Sequence, residues 1–485
     1  MSTSKAGSGR QTPGIDRRSF LRGAGGGLAA LALADQLTSE GVFAQQSSAH
    51  LGSAHLGLKP TARRVVQLFM SGAASQCDMF DYKPLLIERN GEAWAPSESV
   101  ELFQSTPGKV MRSPWSWAQH GECGRWMSSL VPHLAQCVDK IAFIHSMTAS
   151  SNVHGPATFL ESTGFVLPGF PSMGSWISHG LGSQNEDLPT FVSLPDMRGL
   201  PPGGPKNWSA GFLPAEHQAT VIHPSAKDPI RNLFPPSSSG LDRRHDSADR
   251  DLIAQLNTLH ADSRRVDTRL SARMRAYELA ARMQVAGPEL LDISDESAST
   301  RRAYGLDDPP TEDFGRRCLI ARRLLERGVR FVQVWSGADN AFPRRNWDSH
   351  EDIARDHGQM GRSMDQPAAA LIKDLEQRGL LDDTLVHWTT EFGRMPCSQG
   401  DLGRDHNPFG FTNWLAGGGI RGGTTYGATD EWSWKAVDKP TNNYDVHATM
   451  LHALGIDHTK LVHRMDGIDR RLTDVHGHVL HDLLS

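Results

Sequence analysis

The sequence predicts an α/β fold, a mainly parallel central sheet with helices on both faces. Three observations carry that expectation. From residue 313 onward, apolar runs of strand length alternate with stretches of helical periodicity. A looser version of the same alternation runs from Arg64 to Leu194. The residues with chemical potential sit just after the strand-like runs, where an open α/β sheet places its site.

In chain order, Arg64–Met70 (RVVQLFM) reads as a first buried strand, running into the small-residue loop Ser71–Gln76. Residues 90–125 are polar with Pro and Trp, and read as a surface excursion. Val138–Ile144 is a second strand, and His154–Gly164 (HGPATFLESTG) a helix with a glycine C-cap. Pro171–Gly182 is a further short helix and Pro189–Leu194 a strand. Residues 198–240 are dense in Pro, Gly and Ser and should be irregular. Asp249–Val285 spaces its apolar residues helically, as an amphipathic excursion does, so the insertion spans about 198–300. Phe314–Arg327 is a helix, Val329–Trp335 a strand, and a long helix runs through Gln377. Strands at 384–389 and 411–416 and a helix at Asp445–Leu454 complete the pattern. One domain, 61–485, follows, with no internal repeats.

Bulk composition excludes more than it identifies. The 485 residues carry Lys+Arg 50 against Asp+Glu 55, a net charge of −5, with the signs interspersed. Neither a nucleic-acid partner nor a membrane surface is indicated. Five scattered cysteines without a CxxC pair are no disulfide framework, and they read as buried or free thiols, a Cys123–Cys137 bridge being the one alternative. The 22 histidines stand out, since imidazole is both metal ligand and acid–base group.

The amino-terminal segment has Asp16-Arg17-Arg18-Ser19-Phe20-Leu21-Arg22, then a weakly apolar stretch, Gly23–Ala34, and a small-residue cleavage site at Val42-Phe43-Ala44. Residues 1–44 therefore read as a twin-arginine export signal, not a stable membrane span, which would be longer and more apolar. A low-complexity linker, 45–60, follows. The expected location is periplasmic or extracellular.

The stretch from Asp382 to Gly423 concentrates the chemistry: a strand ending at Glu391, then Asp405 and His406, then a second apolar run. A carboxylate and an imidazole on neighbouring strand-end loops suit a metal site; a buried salt-bridge network is the alternative. Asp348 and His350 follow the preceding strand, with an Asp–His surface hydrogen bond as their alternative reading.

Three segments resemble the alkaline-phosphatase-like superfamily, which includes sulfatases. DDTLVHWTTEFG is similar to the family's strand ending "DNTLVIFTSDHG", HGPATFLESTG to the nucleophile helix "CSPSRAALLTG", and YDVHATMLHALGI to "DIAPTLLDLAGI". SGAASQCDMFDYKP, EFGRMP, GRDHNPF and RLTDVHG further resemble a group of twin-arginine-exported, sulfatase-like proteins of unknown function. The resemblance implies a metal-dependent hydrolase of sulfate or phosphate esters, on small molecules or polysaccharides. A catalytically inactive relative serving as an extracytoplasmic binding or assembly factor is the alternative.

Carried over by residue, the match is partial. The first-strand metal-binding Asp aligns with Ser71 and Gly72, the nucleophile with His154, and the carboxylate of the "SDHG" motif with Glu391. The ligand after it has become Phe392. The resemblance implies one divalent ion, zinc or calcium, on Asp348, His350 (or His357) and His406, with Glu391 as a further ligand. His154 and Glu391 are the expected catalytic groups, and Arg394 and Arg404 the expected anion clamps. Relatives space the pair as Asp-x-x-x-His; here Asp348 and His350 read Asp-x-His.

Overall fold

A computed structural model describes residues 57–339 and 346–485, except 97–98, 101, 104, 232, 235–251, 253–254 and 257–267. The export segment, all but the end of the linker, and most of 249–267 in the expected amphipathic excursion lie outside the described residues; the described part of that excursion is helical from Thr268 to Leu291. The central sheet has nine strands: β1 (Arg64–Met70), β2 (Ile141–Thr148), β3 (Phe191–Leu194), β4 (Thr220–Val221), β5 (Phe331–Ser336), β6 (Thr384–Thr389), β7 (Phe411–Ala416), β8 (Thr425–Tyr426) and β9 (Thr441–Asn442). Their order is β8-β2-β7-β6-β1-β5-β3-β4, with β9 also paired to β2. The sheet is parallel except at β7, which runs antiparallel to both β2 and β6.

The alternation of β1 shows why two helical layers form. Val66, Leu68 and Met70 belong to the apolar cluster on one face, and Val65 and Phe69 to the cluster on the other. A strand buried on both faces reads as a continuous apolar run, as this one does. The longer helices are α1 (His154–Thr163), α2 (Met173–Leu181), α3 (Thr268–Leu291), α4 (Pro309–Glu326), α5 (Ile353–Gln377) and α6 (Asn443–Ala453). Helices α4 and α5 cover the first face; α1, α2 and α6 cover the second.

Local chemistry sets the ends of these helices. Helix α1 stops at Gly164, whose φ of +79° is the left-handed cap glycine adopts freely. Asp352 caps α5 by accepting from Arg355 N–H at 3.0 Å, and Asn442 and Asp445 form a reciprocal capping box on α6. The five cysteines are free, so Cys123 and Cys137 are not bridged.

Three expectations needed correction. Residues 198–240 are not wholly irregular, because Thr220–Val221 pairs with Val192–Ser193 as an edge strand of the sheet. The second strand begins at Ile141, because Leu134–Lys140 winds as a 3-10 helix. Residues 90–125 are not merely peripheral: Trp117–His120 and Arg125–Ser128 pair as a hairpin, and Phe103 reaches the strand ends. No helix among the described residues is long and apolar enough to cross a membrane.

Between α1 and the sheet, Glu161 is buried at 3% exposure. Glu161 Oε1 accepts from Thr389 Oγ1–H at 2.6 Å and from Asn413 Nδ2–H at 3.4 Å. Burial pushes this carboxyl up to about 7, the Thr389 hydrogen bond opposing and the charge of Glu391 adding to the rise. A folded-state pKa above the ordinary value means the folded chain holds the proton more tightly. Stability therefore falls as pH rises from the ordinary carboxylate range toward 7, and is level above it. Glu161→Gln should match wild type near pH 4.5 and exceed it at pH 8, by up to about 3 kcal/mol. Denaturant unfolding at pH 4.5, 6 and 8 reads this directly; a pH-independent difference would show that Glu161 is not protonated on folding.

Candidate metal centre

The carboxyl ends of β1, β2, β5 and β6 converge, and the segments leaving them carry the polar residues. Trp347 fixes the segment after β5: its N–H donates to Ser71 O at 3.0 Å, and its buried indole donates to Ser336 Oγ at 3.2 Å. Asp348 is thereby turned inward, its own N–H capped by Asn346 Oδ1 at 3.0 Å. This approach requires Gly72, where φ is +111° and an added Cβ would stand 2.6 Å from Asp348 N. His406 is carried by a two-residue strand paired with Gly393–Arg394, and His154 opens α1.

His154, Asp348, His350 and His406 each offer one ligand atom, all within 4.8 Å of one another. Asp348 Oδ1 lies 2.8 Å from His350 Nε2 and 3.3 Å from both His154 Nε2 and His406 Nε2. His350 Nε2 and His406 Nε2 are 3.0 Å apart. A four-coordinate divalent ion with bonds of about 2.0–2.1 Å sets its ligand atoms about 3.3–3.4 Å apart. The distances from Asp348 Oδ1 to the three imidazoles and from His350 to His406 are close to that spacing.

The outer nitrogens decide the tautomers. His154 Nδ1 is 2.7 Å from Glu391 Oε1, His350 Nδ1 2.5 Å from Gln399 Oε1, and His406 Nδ1 2.6 Å from the carbonyl of Asn152. All three partners are acceptors, so each Nδ1 carries a proton and each Nε2 turns a lone pair inward. Three lone pairs facing a carboxylate repel one another unless a cation sits among them. His154 Nε2 has no hydrogen-bond partner among the described residues.

Burial and neighbouring charges act differently on each member of the cluster. Burial alone would raise Asp348, but the Arg394 guanidinium at 2.6 Å and the three imidazoles hold it well below the carboxylate range. Burial pushes His406 down to about 3, Asp348 opposing and Arg394 reinforcing. Burial also lowers His154, yet Asp348 and Glu391 outweigh it and lift the imidazole to about 9.

The structure sorts the residues singled out in the sequence. Asp348, His350 and His406 come together, and His154 joins them as a fourth ligand-bearing side chain. Glu391, expected as a ligand, stands one step behind: its Oε1 accepts from His154 Nδ1–H and from Gly72 N–H at 2.8 Å. His357 is elsewhere; its Nε2 accepts from Ser75 N–H at 3.0 Å, and burial holds it near 3. Phe392 is buried against the rings of His154 and His406, at centroid distances of 5.0 and 4.7 Å.

Arg394 and Arg404 do not stand as anion clamps, because both guanidinium groups are fully buried and bond internal acceptors. Arg394 donates to the carbonyls of Gly72, Ala73 and Arg404 as well as to Asp348. Arg404 grips Asp78 with two hydrogen bonds, at 2.8 and 3.1 Å, and the carbonyls of Met395 and Met111. Neither lines the cleft of about 540 Å³ on which the cluster opens, whose other walls include Phe103, Val153, Gly155, Pro202 and Gly203. Gln399, Asn152 and Phe103 had no local signal in the sequence.

The fold and site define an α/β protein with a three-histidine, one-carboxylate cluster at the carboxyl edge of its sheet. The chain belongs to the family described as "Protein of unknown function (DUF1501)", whose model matches residues 62–484. No curated protein matches it. Among solved structures it is similar to the lipoteichoic acid synthase LtaP from Listeria monocytogenes, at 9% identity and TM-score 0.35, over 88% of this chain and 78% of that one. It is similar also to the PsFucS1 sulfatase from Pseudoalteromonas sp., at 12% identity and TM-score 0.35, over 89% and 72%. Alkaline phosphatase from the Antarctic bacterium TAB5 matches at 9% identity and TM-score 0.30, over 76% and 94%. Likeness of this degree fixes neither the activity nor the site.

The cluster makes a direct prediction. Purified protein loaded with zinc should hold one ion per chain; His406→Ala should lose it, and His357→Gln should keep it. Glu391→Gln, which leaves a weaker acceptor behind His154, should lower zinc affinity about tenfold. Metal analysis after dialysis, with chelator competition, checks all three. Retention in His406→Ala together with loss in His357→Gln would place the ion elsewhere.

Proposed function

We propose that this chain is an exported, metal-dependent hydrolase of sulfate or phosphate esters, acting on a small molecule or a polysaccharide through a single divalent ion. The observation that carries the metal reading is the set of three imidazoles, each anchored at Nδ1, aiming Nε2 at one carboxylate oxygen in an open cleft. Three nitrogen donors and one oxygen suit zinc; calcium prefers six to eight oxygen ligands. The reaction class is supported by the motif resemblance at residues 154–164, 382–393 and 444–456, since fold by itself specifies no chemistry.

Bound there, a divalent ion supplies Lewis acidity toward an ester oxygen and lowers the pKa of water. The protein's part is orientation and charge. Glu391 keeps the His154 proton on Nδ1, so that Nε2 faces the reacting region. Arg394 neutralises Asp348 from behind and sets the direction of its Oδ1. Phe392, fully buried against His154 and His406, screens their imidazole rings from solvent, which strengthens the charge interactions of the cluster. Phe392 also occupies the sequence position where relatives place a second metal's ligand, which favours single-ion chemistry.

A second reading rests on the four-ligand set itself. Four protein ligands are the mark of a structural site, whereas catalytic zinc keeps an open position. With His154 where relatives carry a Ser, Thr or Cys nucleophile, the chain would then be an inactive binding or assembly factor.

Turnover of aryl sulfates and aryl phosphates separates these readings. The hydrolase should lose activity to a chelator and regain it with zinc, and His406→Ala should lower kcat/KM by at least about a hundredfold. Stoichiometric zinc without turnover of any ester selects the inactive reading.

Export rests on the amino-terminal motif. The Arg17→Lys/Arg18→Lys double variant should stay in the cytoplasm while wild type reaches the periplasm or medium; equal export of both by fractionation would refute a twin-arginine route.

A further inference from the structure

The cleft has one wall that neither the motifs nor the metal ligands account for. Phe103, from the polar excursion, lies nearly parallel to the His406 imidazole, with ring centroids 4.6 Å apart and an interplanar angle of 13°. One face of the phenyl ring is thus spent on a ligand-bearing side chain, and the half-buried remainder forms part of the cleft.

Its placement is built rather than incidental. Ser105 Oγ donates to Asp405 Oδ2 at 2.8 Å, beside His406. Ser398 N–H donates to Lys109 O at 2.8 Å, and Val110 bridges to Cys397. Gly108 packs so closely that an added Cβ would stand 2.1 Å from Ser398 O. The excursion is clipped to the segment that carries both His406 and Gln399, the partner of His350. The same cleft is lined by Val153, which is 42% exposed, Pro202, Gly203 and Asp339. Among the described residues lining the cleft there is no lysine or arginine.

We propose that Phe103 is the specificity-determining residue of this cleft, selecting esters whose leaving group presents a flat, uncharged ring, either an aryl group or the apolar face of a sugar. The proposal rests on the reading of the cluster as an ester-binding metal centre. An anionic group is met by the cation at the cluster, while the rest of the molecule meets an aromatic face, apolar walls and the acidic residue Asp339. A second anionic group meets no cation on the described walls. The cleft volume is that of a small-molecule site, and stacking on an aromatic ring rewards flat groups over chains.

Inert sulfonates test this without turnover. Zinc-loaded full-length protein would be titrated calorimetrically with phenylmethanesulfonate and with methanesulfonate, which share the anionic head and differ in the ring. Wild type should bind the phenyl compound roughly tenfold more tightly. Phe103→Ala should erase that preference while methanesulfonate binding moves less than about twofold, and Phe103→Trp should keep it. Zinc content and thermal midpoint of each variant report whether the site survives the substitution. If both sulfonates bind but Phe103→Ala leaves their ratio unchanged, the assignment of Phe103 fails and the metal-centre reading stands. If zinc-loaded wild type binds neither sulfonate, the ester-binding reading fails and the Phe103 proposal falls with it.

Discussion

The buried guanidinium of Arg394 is the interaction on which the strand-end architecture depends. It has no exposed surface, and it bonds the carbonyls of Gly72 and Ala73 after β1, the carbonyl of Arg404, and the carboxylate of Asp348 after β5. One planar cation thereby ties together segments leaving three different parts of the chain. A buried charge is tolerable only when paired and saturated with hydrogen bonds, and here both conditions hold. Arg404 and Asp78 do the same one layer further out. Removing either arginine would leave a carboxylate uncompensated in the interior, so these residues are framework, not substrate contacts.

That framework explains how so polar a cluster persists at a sheet edge. Each imidazole is held by an acceptor on a different segment: a carboxylate at the end of β6, an amide on the 394–406 loop, and the carbonyl just before α1. Aromatic rings fill the space between, with Phe392 beneath and Phe103 beside His406. The substitution of Phe392 for a metal-binding residue therefore changes the site in two ways. It removes one ligand, and it supplies a hydrophobic floor for the cluster that remains.

The fold was legible in the sequence because burial on both faces makes a parallel strand apolar throughout. The runs at Arg64–Met70 and Thr384–Thr389 are strands at the expected bounds. The antiparallel direction of β7 was not legible, since direction depends on where a connection leads and leaves no trace in the run Phe411–Ala416. Asp348, His350 and His406 stood out because each follows a strand. The roles of Arg394 and Arg404 were misread for a physical reason: an arginine near a site looks the same in sequence whether its fork faces the cleft or the interior.

What the sequence determined by itself was therefore the periodic part: strand and helix identity, the order of elements, and the loops on which chemistry could sit. The tertiary structure decided which of several histidines share one point in space. His350 and His357 are two turns apart on paper, yet one faces the cleft and the other is buried against Ser75 and Trp347. It decided also that His154 brings a ligand atom to the cluster, that Glu391 stands behind it, and that a distant phenylalanine forms the wall. Convergence of side chains from separate segments follows from packing across the strand ends, and no local pattern encodes it.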